Sequence, residues 1–131
     1  MMALDTNVLV RFLVEDDPLQ SRAAQRLVKK AIQAKDVLFL SDLVLVETVW
    51  VLGRSYRLAR DEIGKILQIL LSAQHLRFES TDRLSRALRA YQRGKGGFAD
   101  YLIRELARDH GAAEVATFDR KLLKEAGFKK P

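Results

Sequence analysis

The sequence contains no cysteine, so neither a disulfide nor a thiolate metal site is open to it. No uncharged apolar run approaches the roughly eighteen residues of a membrane span, and no basic segment leads into an apolar stretch with a small-residue cleavage site. Nothing marks the chain for export or a membrane, which fits a cytoplasmic setting. Histidine is scarce: His75 and His110 each fall near an expected helix C-terminus, where a solvated or capping histidine is far commoner than a ligand. Glycine clusters only at Gly94-Lys95-Gly96-Gly97, a flexible turn. It lacks the spacing of a phosphate-binding loop or a dinucleotide fingerprint, and no Ser or Thr follows Lys95. A nucleotide cofactor is therefore unsupported. Negative charge is also short, with 17 acidic against 23 basic residues and a net charge of +6. That balance favours a polyanionic partner, although a solvated Lys/Arg surface would produce it too. At 131 residues the chain has the length of one domain.

What is present is an alternation of strand and helix signals. The apolar run Met2-Ala3-Leu4 stops on Asp5 and reads as a short buried strand. Val8, Leu9, Phe12 and Leu13 then recur at helical spacing, so Thr6–Val14 is expected to be helical, with Asn7 in its first turn. Asp17-Pro18 with Gln20 starts a second helix reaching about Ala34. Its Arg22, Arg26, Lys29 and Lys30 face is either solvated or an RNA contact. Val37–Leu40 is a strand of the kind parallel sheets bury on both faces. Ser41 caps a helix that carries Glu47 among apolar residues and is expected to end at Gly53. A carboxylate in such a setting needs a metal, a basic partner such as Arg54, or solvent. Ile63, Ile66, Leu67, Leu70 and Leu71 form an amphipathic helix whose surplus apolar surface suits a dimer contact.

Leu76–Glu79 is a third strand. In the helix that follows, Leu84, Leu88 and Tyr91 share one face, while Arg83, Arg86, Arg89 and Arg93, extended by Lys95, recur on others with no acid among them. That stripe either neutralises phosphates or is a basic solvated face. Phe98-Ala99-Asp100 opens a helix ending near His110-Gly111. Glu114–Asp119 is a last strand, with Asp119 capping a helix over Arg120–Ala126 closed by Gly127.

The pattern predicts an α/β fold, a three-layer α/β/α sandwich with a mainly parallel central sheet of four to five strands, residues 1–131 forming one domain. Right-handed crossovers place strand C-termini and helix N-termini on one rim. Asp5, Asp100 and Asp119 fall on that rim, and Glu47 would reach it if its helix tilts inward. Carboxylates so gathered repel by roughly 4 kcal/mol per pair at 4 Å with an effective dielectric of 20, a repulsion that a divalent cation removes. An all-oxygen donor set selects Mg²⁺ or Mn²⁺ over zinc, and such an ion supports in-line phosphodiester hydrolysis.

Asp5-Thr6-Asn7, Glu47 in an apolar helix, Phe98-Ala99-Asp100 and Thr117-Phe118-Asp119 together resemble the ordered motifs of the PIN-domain nucleases. Asp5–Arg11, Glu47–Leu52 and Thr117–Leu122 further resemble the VapC toxins of bacterial toxin–antitoxin pairs. The resemblance implies Asp5, Glu47, Asp100 and Asp119 as catalytic, metal-holding acids, with Thr6, Asn7 and Thr117 as polar supports. It implies a Mg²⁺- or Mn²⁺-dependent endoribonuclease, usually dimeric, held inactive by a small antitoxin whose C-terminal segment covers the site. One position departs: where many relatives carry an acid three residues before the helix Asp, this chain has Gly97. That departure sustains an alternative reading, a catalytically weak or inactive PIN-like module binding RNA or protein. Aspartyl-phosphate enzymes fit less well. Haloacid-dehalogenase-type phosphatases want an acid where Asn7 stands, and response-regulator receivers want a second acid before the phosphorylated one.

Overall fold

Every strand pair is parallel, so each strand must be left by a connection long enough to return the chain to the same end of its sheet. The computed structural model describes residues 1–131, and the chain groups into two units, Met1–Glu79 and Ser80–Pro131. No helix is long and apolar enough to cross a membrane.

In the first unit β1 (Met2–Ala3), β2 (Leu38–Leu40) and β3 (Leu76–Phe78) form a sheet in the order β1-β2-β3. Leu38 stands opposite both Met2 and Leu76. β2 is central; Leu38 and Leu40 are buried on one face, while Phe39, on the other, is half-buried, so the expected cover on both faces is only partly met. β1 is an edge with exposed Met2 and Ala3, but Leu4 extends its ladder through an N–H donated to the Phe39 carbonyl at 3.0 Å. The first crossover is α1 (Thr6–Leu13) and α2 (Pro18–Gln33), and the second is α3 (Asp42–Arg54) and α4 (Arg60–Ser72).

Local chemistry sets the helix starts. Asp17 accepts from the Gln20 N–H at 3.1 Å with Pro18 in the first position, and Ser41 accepts from the Val44 N–H at 3.2 Å. The Glu62 carboxylate reaches back to the Ala59 N–H at 3.0 Å. Such a cap contributes about 1 kcal/mol. α3 is helical despite its β-branched content, because Ser41 caps it and Leu45 and Leu52 bury on one face. The expectation that Gly53 ends it is corrected. Gly53 does not take the left-handed conformation that closes a helix, and the last turn is completed by the Ser55 N–H on the Val51 carbonyl at 2.8 Å.

In the second unit α5 (Thr81–Arg93) and α6 (Phe98–Asp109) pack against each other, and β4 (Val115–Ala116) pairs with β5 (Phe128–Lys129). Ser80 caps α5 through the Arg83 N–H at 3.2 Å, and Leu84, Leu88 and Tyr91 are buried along one face as their spacing predicts. The five strands are thus divided, three in the first unit's sheet and two in the second's. The helix expected over Arg120–Ala126 is only a 3-10 turn at Leu122–Lys124. So short a segment repays little of the cost of helix nucleation. Gly127, at φ 87°, then turns the chain into β5, a strand the sequence reading lacks.

A buried carboxylate ties this unit together. Glu105, 2% exposed, accepts from Arg86 at 3.0 Å, from Arg104 at 2.8 Å and from Arg108 at 3.0 Å. Asp109, one turn on, accepts from Arg83 at 3.0 Å and from Arg86 at 2.6 Å, so α5 and α6 are joined by a continuous ionic lattice. Burial alone would raise the Glu105 carboxyl, but the hydrogen bonds from Arg104 and Arg86 and the charges of Arg108 and Arg104 outweigh it and hold it below its ordinary value. The hydrogen bond from Arg83, with the charge of Arg86, does the same for Asp109.

Glu105→Ala leaves three guanidiniums facing a vacated buried position, and is expected to destabilise the chain by about 3 kcal/mol in urea unfolding. The ordinary carboxyl values are 4.5 for Glu105 and 3.8 for Asp109. Their contribution is complete above those values and is lost as pH falls through the lower folded-state ones. The acid limb of the stability–pH curve should therefore be shallower in Glu105→Ala than in the wild type.

Candidate active site

Asp5 follows β1 and caps α1: its Oδ1 accepts from the Val8 N–H at 3.0 Å, while Oδ2 has no protein partner. Thr6 is half-buried and Asn7 exposed in the helix's first turn. Asp5, Asn7, Val8 and Arg11 line an open cleft of about 350 Å³ with Gln20, Ala23, Ala24 and Leu27 of α2. Arg11 is fixed at its edge by Gln20 at 2.7 Å, Tyr56 at 2.9 Å and Asp16 at 3.2 Å.

Glu47 lies on the exposed face of α3 with Leu43, Trp50 and Arg54. It makes no ion pair. The Arg54 guanidinium instead lies over the Trp50 ring, 5.7 Å from its centroid. Of the three partners the sequence allows for this carboxylate, the structure supplies solvent, so desolvation places no demand for a cation on it.

In the second unit Asp100 sits in the first turn of α6, where its Oδ2 accepts from the Gly97 N–H at 2.9 Å. A Cβ at Gly97 would lie 3.1 Å from that oxygen, so any side chain here presses on the carboxylate. Asp119 Oδ1 accepts from the Lys121 N–H at 2.9 Å, and the Asp119 N–H donates to Thr117 Oγ1 at 3.1 Å. Thr117 thus acts on Asp119 through the backbone.

The three aspartates share one arrangement. Each gives one oxygen to a backbone N–H at the start of a helix or turn, and keeps the other without a protein donor. None is paired with a basic side chain, in contrast to Glu105, Asp109 and Asp16. Free carboxylate oxygens without cationic neighbours are donors suited to a hard divalent ion. Asp5 and Glu47 belong to the first unit and Asp100 and Asp119 to the second, and neither unit by itself gathers three metal-ligating side chains.

The basic stripe divides. Arg83 is buried in its pair with Asp109, and the partly exposed Arg86 is held by Glu105 and Asp109, so both are engaged in ion pairs within the unit. Arg89, Arg93 and Lys95 are exposed and unpaired. The signal missed is on the next helix, where Glu105 and Asp109 stand four apart and match Arg83 and Arg86 three apart on α5.

The PIN domain family model matches residues 2–129, and the chain belongs to that family. It is 28% identical over 129 residues to a VapC ribonuclease of Aquifex aeolicus (strain VF5), a match covering 98% of this chain and 94% of the relative.

The capping role of Asp5 can be separated from its charge. Asp5→Ala is expected to lower stability by about 1 kcal/mol, whereas Asp5→Asn, which still accepts from the Val8 N–H, should stay within a few tenths in the same urea titration.

Proposed function

We propose that this chain is a divalent-metal-dependent endoribonuclease, residues 1–131 acting as one nuclease domain in the cytoplasm as the toxin partner of a small antitoxin protein. Family membership and the similarity to a VapC ribonuclease support the reading. The observation that carries it is the set of unneutralised acids: Asp5, Asp100 and Asp119 each keep one free oxygen and Glu47 both, in a chain of net charge +6.

In this reading Asp5, Glu47, Asp100 and Asp119 hold Mg²⁺ or Mn²⁺. The bound ion supplies a water of lowered pKa and a Lewis acid for the phosphoryl and leaving oxygens. The capping bonds restrict the three aspartates before any ion arrives, so little side-chain entropy remains to be lost on binding. Asn7 and Thr6 offer polar groups beside Asp5, and Thr117 fixes the backbone from which Asp119 projects. Arg89, Arg93 and Lys95 hold the RNA phosphates. The exposed Leu43, Trp50 and Ile69 support a homodimer.

A second reading rests on Gly97, which leaves the site without an acid that many relatives carry. In it the domain binds RNA or a protein with little or no cutting.

Purified, partner-free protein should cleave a mixed small-RNA pool with Mg²⁺ or Mn²⁺ and not with EDTA. Asp5→Asn and Asp100→Asn should each lose about 100-fold or more in rate while melting like the wild type. Binding without metal-dependent cutting, on a folded chain, would move the assignment to the second reading. Removing Arg89 or Arg93 should weaken RNA binding across sequences and reduce the salt slope by about 1, with no change in melting.

A further inference from the structure

In the turn Gly94–Gly97, Lys95 and Gly97 enter the readings above, but Gly94 and Gly96 have no role in them, and backbone conformation does not explain these two glycines. Gly94, which closes α5, has φ −94°, and neither it nor Gly96 has positive φ. What these positions lack is room. A methyl at Gly94 would collide with the Tyr101 hydroxyl and lie 2.6 Å from the Glu125 carboxylate, and one at Gly96 would lie 2.5 Å from Leu122. The Tyr101 side chain is fully buried. Its hydroxyl accepts from the Gly96 N–H at 2.9 Å and donates to Glu125 Oε2 at 2.6 Å. One hydroxyl therefore joins the glycine turn, the residue of α6 next to Asp100, and the segment running from Asp119 through the 3-10 turn to Glu125.

We propose that Tyr101 and Glu125 are positioning residues of the nuclease centre: their hydrogen bond, seated against Gly94 and Gly96, clamps the segment carrying Asp119 onto the helix carrying Asp100. The inference rests on the reading of Asp100 and Asp119 as metal-holding acids. Arg104 secures the far end of the same segment, donating to the Ala126 carbonyl at 3.0 Å with its guanidinium 5.2 Å from the Tyr101 ring centroid and 5.4 Å from that of Phe128. The ring contacts need only an aromatic ring, including the edge contact between Tyr101 and Phe128 at 6.4 Å. The hydroxyl adds the clamp.

Tyr101→Phe keeps the packing and removes the clamp. Glu125→Ala removes it from the other side, and Glu125→Gln still accepts the hydrogen bond. These variants, the wild type and Asp119→Ala are compared by Mn²⁺ calorimetry, by amide hydrogen exchange, and by kcat and KM on RNA. Tyr101→Phe and Glu125→Ala should bind Mn²⁺ about tenfold more weakly, with lower kcat and unchanged KM. Their exchange should quicken across residues 117–126, and Glu125→Gln should recover most of the loss. Wild-type Mn²⁺ affinity in both, where Asp119→Ala abolishes binding, would overturn the clamp alone. Mn²⁺ binding untouched by Asp119→Ala would remove the metal-centre reading and the clamp's role with it. Should Tyr101→Phe fail to fold, the Glu125 pair, at a half-buried position, decides the matter by the same readouts.

Discussion

Three aspartates each give one carboxylate oxygen to a backbone N–H where a helix or turn begins, and the candidate site depends on that hydrogen bond. Parallel strands and their return connections create such beginnings, and each begins with unsatisfied N–H groups and a positive dipole end. A carboxylate placed there is stabilised without any basic side chain. Asp5, Asp100 and Asp119 are therefore held in place and keep an oxygen for another ligand. Ion pairing would have fixed them equally well but would have neutralised them.

Positive charge is sorted by the same logic. Arg83, Arg86, Arg104 and Arg108 are consumed by Glu105 and Asp109, between helices or along one, and contribute to holding the second unit together. Arg89, Arg93 and Lys95 have no acid to meet and remain exposed. The net charge of +6 thus overstates how much of the arginine content can face a polyanion. Alternation along α5 puts structural and solvent-facing arginines one turn apart, which a count of basic residues cannot resolve.

Much of the fold is legible in the chain because local chemistry and tertiary packing agree. Asp17-Pro18 and Ser41 start the helices they announce, and Leu38–Leu40 forms a strand where the apolar run predicts one. Reading fails where a distant residue decides. Glu125 bonds to Tyr101 while Arg104 holds the Ala126 carbonyl, and in place of a helix the segment keeps one 3-10 turn before β5. Gly94 and Gly96 read as flexible because spacing cannot reveal that an aromatic hydroxyl occupies their side-chain space. Of the site, the acids and their junction positions are visible in sequence for Asp5, Asp100 and Asp119. The solvent exposure of Glu47 is not, since an apolar run does not say which of its faces is covered.

The ionic lattice on α5 and α6 also constrains how the chain can diverge. Glu105 serves three guanidiniums and is the carboxylate partner of Arg104 and Arg108, so replacing it strands charges that it had balanced. Single steps away from this arrangement pass through a less stable intermediate, while paired replacements need not. Glu105, Arg104 and Arg108 would then be inherited as a block. Among relatives, the loss of Glu105 would be accompanied by the loss of its arginines, even where the aspartates of the candidate site do not change at all.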